Sequence, residues 1–222
     1  MNNGRKFDAK MIAVLAMFSA ISFILAMLIR IPLVPAVGFL TYEPKDVVFV
    51  IAGFLYGPVA PLAMAVVLSL IEGFTITSPV GIPMNFISSV SFACIASLIY
   101  MKKKTIVGAT VGLTVGVILT TIVMLLWNYA LSPILLGFPR EAIVSVLLPG
   151  YLPFNLIKYT LNASIALLLY KPIRVALDRS RLLPIQSASV ARSSRLSVGI
   201  MLASVFIILT CVIVVLAWRE II

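Results

Sequence analysis

Asn155, Lys158 and Asn162 stand at i, i+3 and i+7, a spacing that puts all three on one face of a helix. They lie in the stretch PFNLIKYTLN, inside an apolar run, 152–170, long enough to cross a bilayer. A lysine inside a spanning helix costs about 2.5–3.5 kcal/mol at mid-bilayer, so it normally faces protein or a wet cavity. With two amides on the same face, it can hold a polar ligand or an ion. Other polar side chains are placed to join it. Glu72, Thr75 and Thr77 end one apolar run, Asn85 begins the next, and Trp127, Asn128 and Tyr129 end a third. The loop 38–46 adds Leu40, Thr41, Tyr42, Glu43, Lys45 and Asp46. Each has a structural alternative. Trp127 and Tyr129 suit an interfacial aromatic belt. Asn85, Asn128 and Asn162 suit interhelical hydrogen bonds, worth about 0.6 kcal/mol each. Glu72 is either a rim carboxylate or the partner of Lys158. Asp46 suits the N-cap of the helix that follows it.

Some chemistry is missing. The chain has no histidine, which removes the commonest acid–base group and metal ligand. It has no G-x-x-x-x-G-K-[ST] loop to cradle phosphates. Cys94 and Cys211 both sit in apolar runs and read as small buried hydrophobes rather than a disulfide. No metal or cofactor is expected, and an enzyme is the weaker class.

The elements that must position these residues are membrane spans. The 222 residues are 62% hydrophobic and 11% charged, with mean hydropathy +1.19, too apolar for one water-soluble core. The expected fold class is all-α, a polytopic membrane helix bundle. Apolar runs occur at 11–28, 47–71, 82–100, 106–129, 152–170 and 198–218. The first follows Arg5 and Lys6, lacks a clean small-residue cleavage site, and is expected to be a retained helix. The run 47–71 contains Gly57-Pro58 and Pro61 and reads as one kinked helix or two short ones. Charge decides. With a turn at Gly57-Pro58 and the N-terminus inside, twelve of the 17 lysines and arginines fall on the inner side, Lys102, Lys103 and Lys104 among them. With a single span the triple lysine falls outside, against the positive-inside bias. The same bias accounts for the formal charge of +10 without nucleic acid. Two helices of about 12 and 16 residues result, reaching only ~18 and ~24 Å. The organisation expected is a six-span core at 1–177, a basic, Ser-rich cytoplasmic linker at 178–197, and an additional C-terminal transmembrane helix at 198–222. That last helix, without an intramembrane charge, reads as an accessory anchor.

In this topology the polar residues gather at the outer ends of the spans, with almost none buried in the inner half. A cup open to the outside fits better than a channel. Ala9, Ala13, Ala16 and Ala20, with Ala26 further along, form a small-residue stripe on span one, permitting close approach of a neighbouring span or another subunit. Gly108, Gly112 and Gly116 do the same on span five, for internal packing.

The succession GFLTYEPKDVVFVIAGFLYGPVAPLAMAVVLSLIEG, GIPMNFISS, LLWNY and PFNLIKYTLN resembles the substrate-binding membrane subunit, or S component, of energy-coupling factor transporters, and within that family its riboflavin-binding branch. The resemblance covers about residues 10–177. It implies six spans with both ends cytoplasmic, in a bacterial cytoplasmic membrane, and a vitamin pocket near the outer face under the first external loop. It implies docking through alanines of span one, here Ala9, Ala13, Ala16 and Ala20, onto a shared membrane subunit carrying two ATPases. It further implies transport by toppling of the whole subunit. Carried over by position, Leu40 and Thr41 contact the flavin partly through backbone, and Asn128, Asn155 and Lys158 hold the flavin and its ribityl chain. Glu43, Asn85 and Trp127 complete the substrate-binding set, and Trp127, Phe39, Phe154 and Tyr42 supply walls. The implied function is capture of riboflavin or a related flavin for an ATP-driven importer. The alternatives are an S component for another vitamin or small molecule, or a stand-alone secondary carrier.

Overall fold

The computed structural model describes residues 8–38, 40–75, 81–137, 139–180, 182 and 198–219. Phe39, Thr77 and most of the 178–197 linker lie outside the described residues. Helix α1 spans Ala9–Leu28. A short antiparallel hairpin follows, Ile31–Pro32 (β1) against Thr41–Tyr42 (β2), with Ile31 opposite Tyr42. Then come α2 at Lys45–Tyr56, α3 at Val59–Gly73, α4 at Gly81–Lys102 and α5 at Ile106–Leu136. A short α6, Arg140–Val146, runs through a π turn, Leu147–Tyr151, into α7, Leu152–Arg179. Helix α8 is Val198–Trp218. Among the described residues, five helices are long and apolar enough to cross a membrane, with α3 a shorter apolar one.

The turn expected at Gly57-Pro58 is present. Gly57 ends α2 at φ +95°, a conformation that a side chain would strain, and Pro58 starts α3 with its fixed φ. The two helices have 12 and 15 residues. The molecule therefore has a hairpin end, holding β1–β2 and the starts of α2, α4 and α7, and an opposite lysine end, holding Gly57, Lys102–Lys104 and Arg179.

In lipid, apolar burial alone drives little helix association, so close packing and hydrogen bonds must hold the bundle. Gly112 shows the closeness: a Cβ there would stand 2.6 Å from the Ala96 carbonyl oxygen, so α4 and α5 meet backbone to backbone. Below the hairpin end, Phe92 of α4 lies against Tyr159 of α7, centroids 5.1 Å apart. Phe54 stacks on Tyr100 at 4.4 Å and meets the Tyr170 ring edge-on.

Four expectations are corrected. Span six does not stop at Tyr170; α7 continues through Pro172 to Arg179, because its last turns still pack on α2 and α4. Arg174 is consequently not a loop residue. It is buried and donates to the Tyr170 hydroxyl at 2.5 Å, with Tyr100 and Tyr170 hydroxyls 2.7 Å apart. The inner half thus carries a buried polar cluster, although aromatic rings close it. Residues 140–151, between the expected spans, are helical with a π turn. Pro149 and Pro153 lack N–H donors, the regular ladder fails there, and the Leu152 N–H bonds back to Leu147. Finally, Asp46 caps nothing. Pro44 holds the N-cap position without a side-chain bond, and Asp46 in the first turn is buried. Its carboxylate accepts from Ser89 of α4 at 2.5 Å and from Asn162 of α7 at 3.4 Å.

Candidate ligand-binding site

A cavity of about 220 Å³ opens among the hairpin, α4, α5 and α7. Three helices supply its polar groups from matching depths. Asn85 and Ser88 lie one turn apart on α4, Asn128 follows Met124 by four residues on α5, and Asn155, Lys158 and Tyr159 share one face of α7. Leu40, Thr41 and Glu43 close it from the hairpin side, with Arg30 at the end of α1. Phe154, Tyr159, Met84 and Met124 give apolar wall.

Lys158 is only 5% exposed. Its ammonium lies 5.9 Å from the Phe154 ring centroid and 5.8 Å from that of Tyr159, within reach of cation–π attraction. Among the described residues it makes no ion pair. It lines the cavity as a donor-only group with hydrogens to spare. Asn155 donates through Nδ2 to the Tyr151 carbonyl at 2.7 Å, which leaves its amide oxygen to face a ligand. Asn128 donates to the Met124 carbonyl at 2.7 Å and accepts from Ser132 at 2.9 Å, so one N–H and one lone pair remain.

Charge beside the cavity is organised around Lys45. Its side chain is 1% exposed, with the ammonium 2.8 Å from Glu72 and 3.2 Å from Glu43. Glu43 also approaches Arg30 at 3.7 Å, and Glu72 accepts from Asn85 at 3.3 Å. Glu72 is therefore the partner of Lys45, not of Lys158, and it orients a cavity amide. Deeper, Tyr42 donates to Asn162 at 3.0 Å. Burial, with the Asp46 carboxylate nearby, pushes the Tyr42 phenol well above its ordinary value, so it remains a donor at working pH. Asn162 shares the helical face of Lys158 yet ties hairpin and α2 to α7 instead of lining the cavity.

Seven of the eight expected substrate-binding residues, Leu40, Thr41, Glu43, Asn85, Asn128, Asn155 and Lys158, surround this one cavity. Trp127 does not. It follows Met124 by three residues and precedes Asn128, so its side chain turns off the cavity face and packs against the main core. Tyr42 is likewise in the core below the hairpin rather than on the wall. Arg30, Met84, Ser88, Met124 and Tyr159 were not singled out from sequence. Helical spacing carried the signal for most: Met124 is i−4 from Asn128, Ser88 i+3 from Asn85, and Tyr159 i+4 from Asn155.

On the outside of α1, Ala9, Ala13, Ala16 and Ala20 are all exposed, while Met11, Val14, Leu15 and Phe18 face the bundle. No neighbouring span covers the stripe among the described residues. Ala26 is buried and belongs to the opposite face, which corrects its inclusion.

The family described as "ECF transporter, substrate-specific component" matches residues 10–170, from α1 to the middle of α7. The chain belongs to that family. This substrate-specific component is 33% identical over 190 residues to the riboflavin transporter RibU of Staphylococcus aureus, covering 81% of this chain and all of the relative. It is 28% identical over 186 residues to the riboflavin transporter FmnP of Bacillus subtilis, covering 78% and 96% of the two. RibU of Streptococcus thermophilus is 29% identical over 185 residues, covering 78% and 85%. Among solved structures, one described as the S component of a bacterial ECF transporter superposes with a TM-score of 0.64 at 32% identity, over 76% of this chain and 97% of that one. The substrate-specific component is thus a multi-pass membrane protein with transporters, not enzymes, as relatives. The family match stops before α8.

Proposed function

We propose that this chain captures riboflavin, or a closely related flavin, from the outer face of a bacterial cytoplasmic membrane and delivers it through an ATP-driven partner module. The observation that carries the reading is the meeting of Asn85, Asn128, Asn155 and Lys158, which has no ion pair among the described residues, with Phe154 and Tyr159 around one cavity. The relatives bear riboflavin-transporter names. An isoalloxazine ring needs flat or flexible apolar walls, which Phe154, Tyr159, Met84 and Met124 supply. Its ring carbonyls need donors, and Lys158 offers only donors. Ribityl hydroxyls both donate and accept, as do the three amides.

The lysine end carries Lys102–Lys104 and Arg179, which supports a cytoplasmic lysine end and N-terminus and an outward-facing cavity. Towards that end the Phe92–Tyr159 and Phe54–Tyr100–Tyr170 contacts close the bundle. That supports release by movement of the whole subunit rather than flow along a channel. The exposed alanine stripe supports docking on a coupling subunit that itself bears the two ATPases. Titration of the detergent-purified protein with riboflavin, followed by quenching of flavin fluorescence, tests the reading. Saturable one-to-one quenching is expected. Absence of quenching by riboflavin, with binding of another vitamin, would replace the ligand and leave the family standing.

A further inference from the structure

Helix α8 lies beyond the family match, yet it is not a loose anchor. Ile200, Ser204, Ile208, Cys211 and Val215 recur at steps of four, four, three and four, which makes one stripe along the helix. That stripe is the bundle-facing one. Ser204 and Val215 are buried, Ile200 packs on the main core, and Ile208 and Cys211 pack on the cluster at the hairpin end. Leu202, Phe206, Leu209 and Ile213, between them, are exposed.

The cluster reached by Val215 contains Leu33, Val34, Val37 and Tyr42 of the hairpin region, Tyr151 of the π turn and Phe154 of α7, with Leu40 packed against it. Leu40 and Phe154 also line the ligand cavity. The same apolar cluster therefore touches the cavity on one side and α8 on the other. Its hairpin has two-residue strands, too short to hold themselves in place, so packing must supply the rigidity. The π turn before Phe154 is likewise an irregular segment. At the end of α8, Trp218 lines a cleft with Val34, Pro35, Leu148 and Leu152, facing both pieces across it.

We infer that α8 is a positioning element of the cavity: Ile208, Cys211 and Val215 hold the hairpin and the π turn in place and so set how long a ligand stays bound. A ligand leaves when its enclosing segments open, and local opening becomes commoner as their packing partners are removed. The identity of the ligand rests on the function proposed above; the packing role does not.

The test is the full-length Ile208→Ala/Val215→Ala protein, with Leu202→Ala/Leu209→Ala on the lipid-facing side as control. Amide hydrogen exchange without ligand is expected to rise at least tenfold for residues 33–42 and 147–154, and to stay within twofold for 108–117 at the α4–α5 contact. Riboflavin dissociation, by stopped flow, is expected to speed at least fivefold, with both readouts unchanged in the control. Unchanged exchange in the hairpin overturns the inference, as does an equal rise throughout the bundle, which would mean general loosening. Faster exchange with unchanged dissociation overturns the link to ligand lifetime. If the unaltered protein binds no riboflavin, the proposed ligand fails, and exchange still decides the role of α8.

Discussion

Replacement of Lys158 by methionine should affect ligand binding and stability in opposite directions. Lys158 is 5% exposed, and its ammonium has no carboxylate partner among the described residues and is held by two ring faces nearly 6 Å away. Cation–π contacts at that range return roughly 0.5–2 kcal/mol, against about 2.5–3.5 kcal/mol for a lysine in a spanning helix. Without ligand, Lys158→Met should therefore leave thermal stability unchanged or raise it, since the stem is replaced and the uncompensated charge removed. With ligand, one charged hydrogen bond is lost, worth about 1.5–3 kcal/mol, or roughly 10- to 150-fold in Kd. Fluorescence titration beside a thermal unfolding scan of the empty protein reads both. An unchanged Kd, or a melting point lowered by several degrees in the empty protein, would refute the reasoning and make Lys158 a structural residue.

Other expectations follow from the same geometry. Lys45→Met strands two buried carboxylates, and breaking such a pair costs about 3–5 kcal/mol. A fall in melting temperature on the order of 10 °C is expected, part of it recovered in Lys45→Met/Glu72→Met, and full additivity would argue against the pairing. Ala13→Leu or Ala16→Leu should abolish uptake in cells while riboflavin titration of the purified protein stays normal; uptake at the normal rate would exclude docking on that face. Trp127→Phe should leave Kd within twofold, because the indole packs on the core beside the cavity, and a tenfold loss would put it back on the wall.

The parts of this molecule legible in the sequence are those governed by the bilayer. Span positions follow from apolar length, and the Gly57-Pro58 turn follows from where Lys102, Lys103 and Lys104 must lie. The cavity residues were legible because an amide or lysine inside an apolar run has few other uses. Pairing was not legible. Glu72 was read as a rim carboxylate or the partner of Lys158, and only the packing of α2 against α3 and α4 brings Lys45 to it instead. Asp46 carried a good capping signal, but Pro44 takes the N-cap position and leaves Asp46 two residues on, in the first turn, where Ser89 and Asn162 meet it. Side-chain direction was the other loss. Trp127 is one residue from Asn128, and that rotation of about a hundred degrees separates core from cavity. The packed face of α8 was not read from the sequence, because an apolar helix shows the same residues to lipid and to protein, and only the packed cluster tells which face is which.

The central claim is that this one cavity holds a flavin. The absorbance spectrum of the detergent-purified protein, with mass spectrometry of whatever heating releases, tests it most directly when run beside Lys158→Met. The structure and its relatives predict a flavin band near one equivalent in the unaltered protein and a much weaker one in the variant. Equal flavin in both would place the ligand away from Lys158. No flavin in either, with no quenching of added riboflavin, would contradict the claim.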